Sequence, residues 1–402
     1  MFKRICYLLI VATTLSSCYA IRAYKYRKLN LSDVNKMPSV AIEKGNNPDL
    51  FLVGKLEGAY QRMGKKLDSV LADTYTAAFL IIRNDSIIYE KYFDDFGEHS
   101  LLPSFSVAKS FVGTLVGIAS DEGKISVNAS ITDYIPELKK NDARFEKITI
   151  RNLLDMRSGI LFKEGTYNLK DDAIKMAFRP NTIKQLRKLK IEKPSGCEFN
   201  YQSINTYLLA IALQCVTGKK ISAYLSEKIW KPAGMEYNAT WTVDSKAHQR
   251  EIAYAGLNAT ARDFARLGKI YLEKGTVNNH HILSEQWINA TINKDTLQKY
   301  DGYRNQFWGV DRYKVFSDSL DAANYKMQNN LKGRVGSFIN KSKVKSFFIS
   351  YTTPEFYAEG ILGQFIYVQP EKNLIIVRLG HFWKSKKFPD AVDFLKAMAS
   401  EL

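Results

Sequence analysis

The sequence predicts an α+β fold: an antiparallel sheet assembled from the N- and C-terminal parts of the chain, flanked by helices, with a mainly helical lobe inserted between them. Three observations predict it. Strand-like runs lie near both ends, at 77–93 and 365–380, the segments between them carry apolar residues at helical spacing, and 402 residues suffice to bury a large core. A chain with 46% hydrophobic and 25% charged residues is neither disordered nor fibrous. No internal repeat or low-complexity segment breaks the pattern.

The chain opens MFKRICYLLIVATTLSSC, with Lys3 and Arg4 ahead of an apolar run from Ile5 to Ala12. That run is too short to span a bilayer and suits a secretory signal. The tetrapeptide Leu15-Ser16-Ser17-Cys18 resembles a bacterial lipobox, which implies a signal peptide over residues 1–17 and lipidation of Cys18. The protein is therefore expected in the cell envelope, lipid-anchored and facing the periplasm, with the outer membrane as the default. An uncleaved anchor is the alternative, and it too puts the rest of the chain outside the cytoplasm. Residues 18–50 then form a lipidated N-terminus and basic tether, whose stretch RAYKYRKLNLSDVNK suits anionic headgroups. The net charge of +17 fits the same surface and not a nucleic-acid partner.

The main domain is expected over 51–402. Asn84-Asp85 between two β-rich runs signals a hairpin, and FIYVQPEKNLIIVRLG signals a second that turns at Pro370–Asn373. ITIRNLLDM, INTYLLAIALQCV and ATARDFARLGKIYLEKG carry helical stripes, and the tail PDAVDFLKAMASEL reads as a helix with Pro389 in its first turn. Of the four cysteines, Cys6 and Cys18 belong to the signal. Cys215 falls about four turns into a helix starting near Tyr201, too far from Cys197 for a bridge, so both are expected as buried free thiols. No cysteine–histidine set has zinc spacing, and His280-His281 reads as an exposed loop pair, so neither metal nor cofactor is expected.

The stretch LLPSFSVAKSFVGTLVGIA contains Ser106 three residues ahead of Lys109. Ser-x-x-Lys alone is common, and a second copy, Ser342 to Lys345, lies in the lysine-rich run NKSKVKS and reads as solvated surface. Context separates the two. After Ser106, Ala108, Phe111, Val112, Leu115, Val116 and Ala119 recur at three- and four-residue steps, the mark of a buried helix. Ser106 and Lys109 then share one face of its first turn, where burial and the helix dipole both push the lysine toward its neutral form. A neutral amine beside a hydroxyl can take its proton; a capping serine with a snorkelling lysine is the alternative on these residues alone. No Gly-x-Ser-x-Gly occurs, and histidines 99, 248, 280, 281 and 381 stand in no triad context, so lysine must do the activating. Tyr201, in FNYQSINTYLLA, precedes another apolar helix; alone it reads as a packed aromatic.

Taken in order, these segments resemble the serine hydrolases of the β-lactamase and penicillin-binding-protein superfamily, in the branch with class C β-lactamases, D-alanyl-D-alanine carboxypeptidases, related esterases and 6-aminohexanoate-dimer hydrolases. SFSVAKSF carries the Ser-x-x-Lys, YQSINTYLLA falls at the Tyr-x-Asn or Tyr-x-Ser motif, and ITIRNLLDMRSGI, KPAGM, GLNATARDFARLGKIYL and EGILGQFIYVQPEKNLIIV resemble four further segments. The resemblance implies a β-lactamase/transpeptidase-like fold, with Ser106 as acylated nucleophile, Lys109 as proton acceptor and Tyr201 as proton shuttle. It implies oxyanion donors at the backbone N–H groups of Ser106 and Gln364, and substrate contacts at Ser203, Ile361 and Gly363.

Two departures bear on the substrate. Ile361-Leu362-Gly363 lacks the Lys or His that precedes the third-motif glycine in many relatives, and Ser203 stands where antibiotic-hydrolysing enzymes favour Asn. Arg334 and Lys345 are candidates to replace the missing cation. The expectation is an esterase or amidase acting on a small-molecule or peptide-like substrate; a D,D-peptidase or β-lactamase on cell-wall peptides, and a sensor that acylates without turnover, are the alternatives. Residues 312–358, which match no family segment, read as an insertion near the cleft or as a solvated decoration.

Overall fold

Asn84 and Asp85 both adopt positive φ, 50° and 60°, the backbone a two-residue hairpin turn demands. The structure is a computed structural model and describes residues 19–25, 30–54, 67–165, 168–292, 302–331, 333–339 and 343–402. The turn joins strands β1 (Thr76–Arg83) and β2 (Ser86–Tyr92). The other long strands are β3 (Phe307–Phe316), β4 (Gly333–Ile339), β5 (Lys345–Gly360), β6 (Gln364–Gln369) and β7 (Leu374–Gly380). They make one sheet in the order β3-β5-β6-β7-β1-β2, with β4 on β5. All these pairs are antiparallel. The second expected hairpin is β6–β7, and its turn ends on Asn373 at φ 47°. The centre of the sheet, β7 against β1, thus unites the C- and N-terminal parts of the chain.

The helices that matter here are α1 (Tyr19–Lys25), α2 (Ala108–Asp121), α3 (Ile150–Leu154), α4 (Asp172–Phe178), α5 (Ser203–Thr217), α6 (Ala261–Leu272), α7 (Ser319–Gln328) and α8 (Ala391–Glu401). Strand periodicity divides the sheet's side chains between two cores. Ala78, Leu80 and Ile82 of β1 face the larger one, with Phe264 and Leu267 of α6 and the apolar residues of α2. Phe79 and Ile81 face the smaller one, against Phe394, Leu395 and Met398 of α8. The alternation leaves no position of β1 for a charged residue until Arg83 at its end.

Several expectations are corrected. Pro389 precedes the Asp390 N-cap of α8 and lies outside its first turn; the Asp390 side chain accepts from the Val392 N–H instead. Cys197 and Cys215 are free thiols but exposed, Cys197 in the coil ahead of α5 and Cys215 near that helix's end. His280-His281 forms a two-residue strand paired with Thr276–Val277, exposed as expected. Residues 1–17, Cys18 and Ser342 lie outside the described residues.

Residues 312–358 continue the sheet as a ribbon. The first half of β5 pairs with β3 and β4, and the second half with β3 and β6. β4 and the outer part of β3 are largely exposed, with Tyr313, Val315 and Ile339 more than half open to solvent.

Candidate active site

Ser106 stands in a 3-10 turn, Phe105–Val107, that leads directly into α2. Phe105, immediately before it, is held at φ 44°, an uncommon conformation for a bulky side chain that only surrounding structure can impose. Every residue of α2 from Ala108 to Ala119 is buried, because its apolar positions run nearly all round the helix. Lys109 is therefore carried inside, at 1% exposure. Its Nζ donates to Ser106 Oγ at 2.9 Å and to the Tyr254 carbonyl at 3.1 Å. Burial pulls its pKa from 10.5 down to about 8, although the charge of Glu164 acts the other way.

Tyr201 lies two residues ahead of α5, and its ring centroid is 5.0 Å from Lys109 Nζ. Its ring stacks on Trp308 at 5.6 Å and meets Tyr303 edge-on at 5.7 Å, which fixes its plane beside the lysine. Ser203 opens α5, and its N–H and hydroxyl both donate to Glu164, at 2.5 and 2.6 Å. A carboxylate at a helix N-terminus is favoured by the dipole, and here it ties the loop before α4 to α5.

The third-motif residues are set three positions from where the sequence placed them. A side chain at Gly360 would overlap the Ser104 carbonyl and come within 3.1 Å of Ser106 N, so only glycine lets the end of β5 lie against Ser106. Gly363, at φ 80°, faces Arg378 instead, and the Gln364 side chain is turned to the backbone of Gly380, with which it exchanges two hydrogen bonds. Neither lines the cavity at Ser106, whereas Ile361, the residue after Gly360, does. The tripeptide in the cation-x-Gly position is thus Ala358-Glu359-Gly360, still without a cation; burial and Asp390 raise Glu359 to about 7.

Arg334 and Lys345 do not supply a replacement. Arg334 pairs opposite Ser350 and Lys345 opens β5, ten and fifteen residues along the strand from Gly360, roughly 30 and 50 Å at the rise of a strand. Nor does any described residue of 312–358 line the cavity, which places the described part of that segment away from it and not near the cleft.

The cavity beside Ser106 has a volume of about 510 Å³, within the range of substrate sites. Ser106, Ser203, Glu164, Tyr254 and Ile361 meet in it. The structure thus brings together Ser106, Lys109, Tyr201, Ser203 and Ile361 and leaves Gly363 and Gln364 outside. Residues 66–397 match the Beta-lactamase family. The chain belongs to the β-lactamase family. Over 237 residues it is 30% identical to the 6-aminohexanoate-dimer hydrolase of Paenarthrobacter ureafaciens, an alignment covering 56% of this chain and 59% of that one. Less than two thirds of that relative is therefore spanned. A Bacillus anthracis structure provisionally described as a 6-aminohexanoate-dimer hydrolase superposes with a TM-score of 0.70 at 23% identity, over 94% of this chain and 93% of that one. A family VIII carboxylesterase structure gives 0.58 at 15% identity, over 85% and 96%. The fold is that of the β-lactamase family, with its mixed helices and antiparallel sheet.

Three residues of this family member were missed by sequence reasoning. Glu164 left no signal, being one acid in a polar stretch. Tyr254 left none either; it is buried among aromatics, its carbonyl meets Lys109 and burial pushes its phenol well up from the ordinary value. Arg378 did leave one. A guanidinium in the run LIIVRLG is out of place unless it is needed inside. It is fully buried and donates to the carbonyls of Leu362, Gly363, Thr74 and Phe382.

Proposed function

We propose that this protein is a serine hydrolase that cleaves ester or amide bonds through an acyl-Ser106 intermediate. The observation that carries the reading is the 2.9 Å contact between Ser106 Oγ and a lysine buried to 1% exposure, whose pKa is pulled to about 8. In its neutral form Lys109 Nζ accepts the Ser106 hydroxyl proton as Oγ attacks the substrate carbonyl. The oxyanion that develops is met by the backbone N–H groups of Ser106 and Ile361, fixed dipoles that need no reorganisation. The proton passes to the leaving alcohol or amine, with Tyr201 beside Lys109 as the shuttle. Water then attacks the acyl carbonyl, loses its proton to the same pair and frees Ser106. The relatives' names, a hydrolase of an amide dimer and a carboxylesterase, support both bond types.

The absence of a lysine or arginine among the described residues that line the cavity favours a substrate without a recognised carboxylate, and so an esterase or amidase over a D,D-peptidase. We also infer that Cys18 carries a lipid and holds the chain to the envelope; Cys18→Ser is expected to move the protein from the membrane to the soluble fraction. The activity is tested with p-nitrophenyl acetate and butyrate. Wild-type turnover that disappears in Ser106→Ala and falls at least a hundredfold in Tyr201→Phe supports the reading. A burst of one equivalent without turnover replaces it with the acylating sensor.

A further inference from the structure

The outer wall of the cavity is built by the chain's own N-terminal segment. α1 lies on α4, where Ala23 and Phe178 are buried together and Met37, Ile174 and Ala177 pack around them. Arg22 fastens α1 by donating to the Asp244 carbonyl at 2.7 Å. All of these except Arg22 and Asp244 line the same cavity as Ser106.

The carboxylates that line this cavity, Glu164, Asp171 and Asp33, all accept hydrogen bonds from the protein itself, while the buried Tyr254 hydroxyl has no partner among the described residues. Glu164 accepts the N–H and hydroxyl of Ser203. Asp171 accepts the N–H groups of Ala173 and Ile174 as the cap of α4. Asp33 accepts from the Asn30 N–H and from Lys36 Nζ. Among the described lining residues there is no lysine or arginine. An anionic substrate tail would leave water and meet three carboxylates and no lysine or arginine among the described lining residues, whereas an aliphatic tail gains with each methylene it buries.

We propose that this cavity is an acyl-chain site, walled on its outer side by residues 23–24 and 30–37, and that the substrates are esters of uncharged medium- or long-chain fatty acids. The inference rests on the acyl-Ser106 reading and names its substrate. In the acylation step the ester's acyl C–O bond breaks, the acyl carbon bonds to Ser106 Oγ, and the alcohol leaves with the serine proton; water then releases the fatty acid. The position of the wall agrees with such a substrate. Ala23 follows Cys18 by five residues, a reach of at most roughly 18 Å, so a lipid at Cys18 keeps the cavity near a bilayer that holds amphiphilic esters.

The test uses the full chain in detergent with p-nitrophenyl acetate, butyrate, octanoate, dodecanoate and 6-aminohexanoate. kcat/KM is expected to rise at least tenfold from acetate to octanoate or dodecanoate, and to be lower for 6-aminohexanoate than for octanoate. Ala177→Trp and Ala23→Trp, on two different helices, each put bulk into the cavity. Each is expected to lower the dodecanoate-to-acetate ratio at least tenfold, read on variants that still melt cooperatively. A flat chain-length profile in a wild type whose acetate turnover depends on Ser106 overturns the inference while the hydrolase stands. So does a preference for the 6-aminohexanoate ester, or an unchanged ratio in both folded variants. If no ester is turned over through Ser106, the acyl-serine reading falls, and the acyl-chain site falls with it.

Discussion

Lys109 carries the proposed proton transfer, and its burial has two measurable consequences. The neutral amine is the form that accepts a proton, so kcat/KM is expected to climb with pH and level off above about 8, the value to which burial lowers this lysine. A profile flat from pH 6 to 9 in buffered ester assays contradicts that role. The second consequence is for stability. The folded pKa lies below the unfolded one, so the folded state resists the proton; the penalty is fully present below about pH 8 and fades as pH rises toward 10.5. Lys109→Met removes a cost on the order of 3 kcal/mol at neutral pH, less what the unpaired Tyr254 carbonyl takes back. It is expected to abolish turnover and raise the melting temperature at pH 7, and a melting temperature lowered at pH 7 refutes it. The stripe from Ala108 to Ala119 made this burial legible in the sequence. Glu164 was not legible, because its importance comes from a contact 39 residues away, with Ser203.

At the scale of elements, the turn between β5 and β6 decides what meets Ser106. Sequence offers two glycines three residues apart, and nothing local says which one packs against Ser106. The Ser104 carbonyl decides it, because it leaves no room for a Cβ at Gly360. Arg378 of β7 then fixes the turn from behind, with hydrogen bonds to the carbonyls of Gly363 and Leu362 at 2.5 and 3.4 Å. No carboxylate pairs with it among the described residues, and burial lowers its pKa to about 9, so its carbonyl contacts are what keep it charged inside. Arg378→Met leaves several buried carbonyls without donors, at about 1–3 kcal/mol for each left unsatisfied. A lower melting temperature follows, and a kcat at least tenfold lower with KM changed less, since the turn carries the Ile361 N–H and gives the cavity wall only the one side chain of Ile361. Arg378→Lys cannot bridge the same carbonyls and is expected to rescue little. A loss confined to KM contradicts this positioning role. The hairpins at Asn84-Asp85 and Pro370–Asn373 were legible because turn chemistry is local. The turn at 361–363 was not, because its register is set by residues far away in the chain.

For the whole molecule, the sheet joins both ends of the chain and carries the site at the inner end of β5, while the outer half of β5 runs out with β3 and β4 as an exposed ribbon. The joining of the ends was legible from where the β-like runs fall. The ribbon was not, since its strands bury little and their apolar residues do not announce a core. Residues Phe316 and Phe347 are paired across the outer end of the β3–β5 ribbon, so a short turn can close β3 onto β5 there. Replacing residues 318–343 by such a turn is expected to keep acetate kcat/KM within about threefold, as for a decoration remote from the cavity. A hundredfold loss measured on the folded protein assigns the ribbon a part in the site. The central claim, an acyl-enzyme formed on Ser106, is tested most directly by intact-protein mass spectrometry after exposure to a fluorophosphonate. The account predicts one adduct per chain, mapped to Ser106, absent from Ser106→Ala and slowed below pH 8. An unmodified wild type, or an equal adduct on Ser106→Ala, contradicts it.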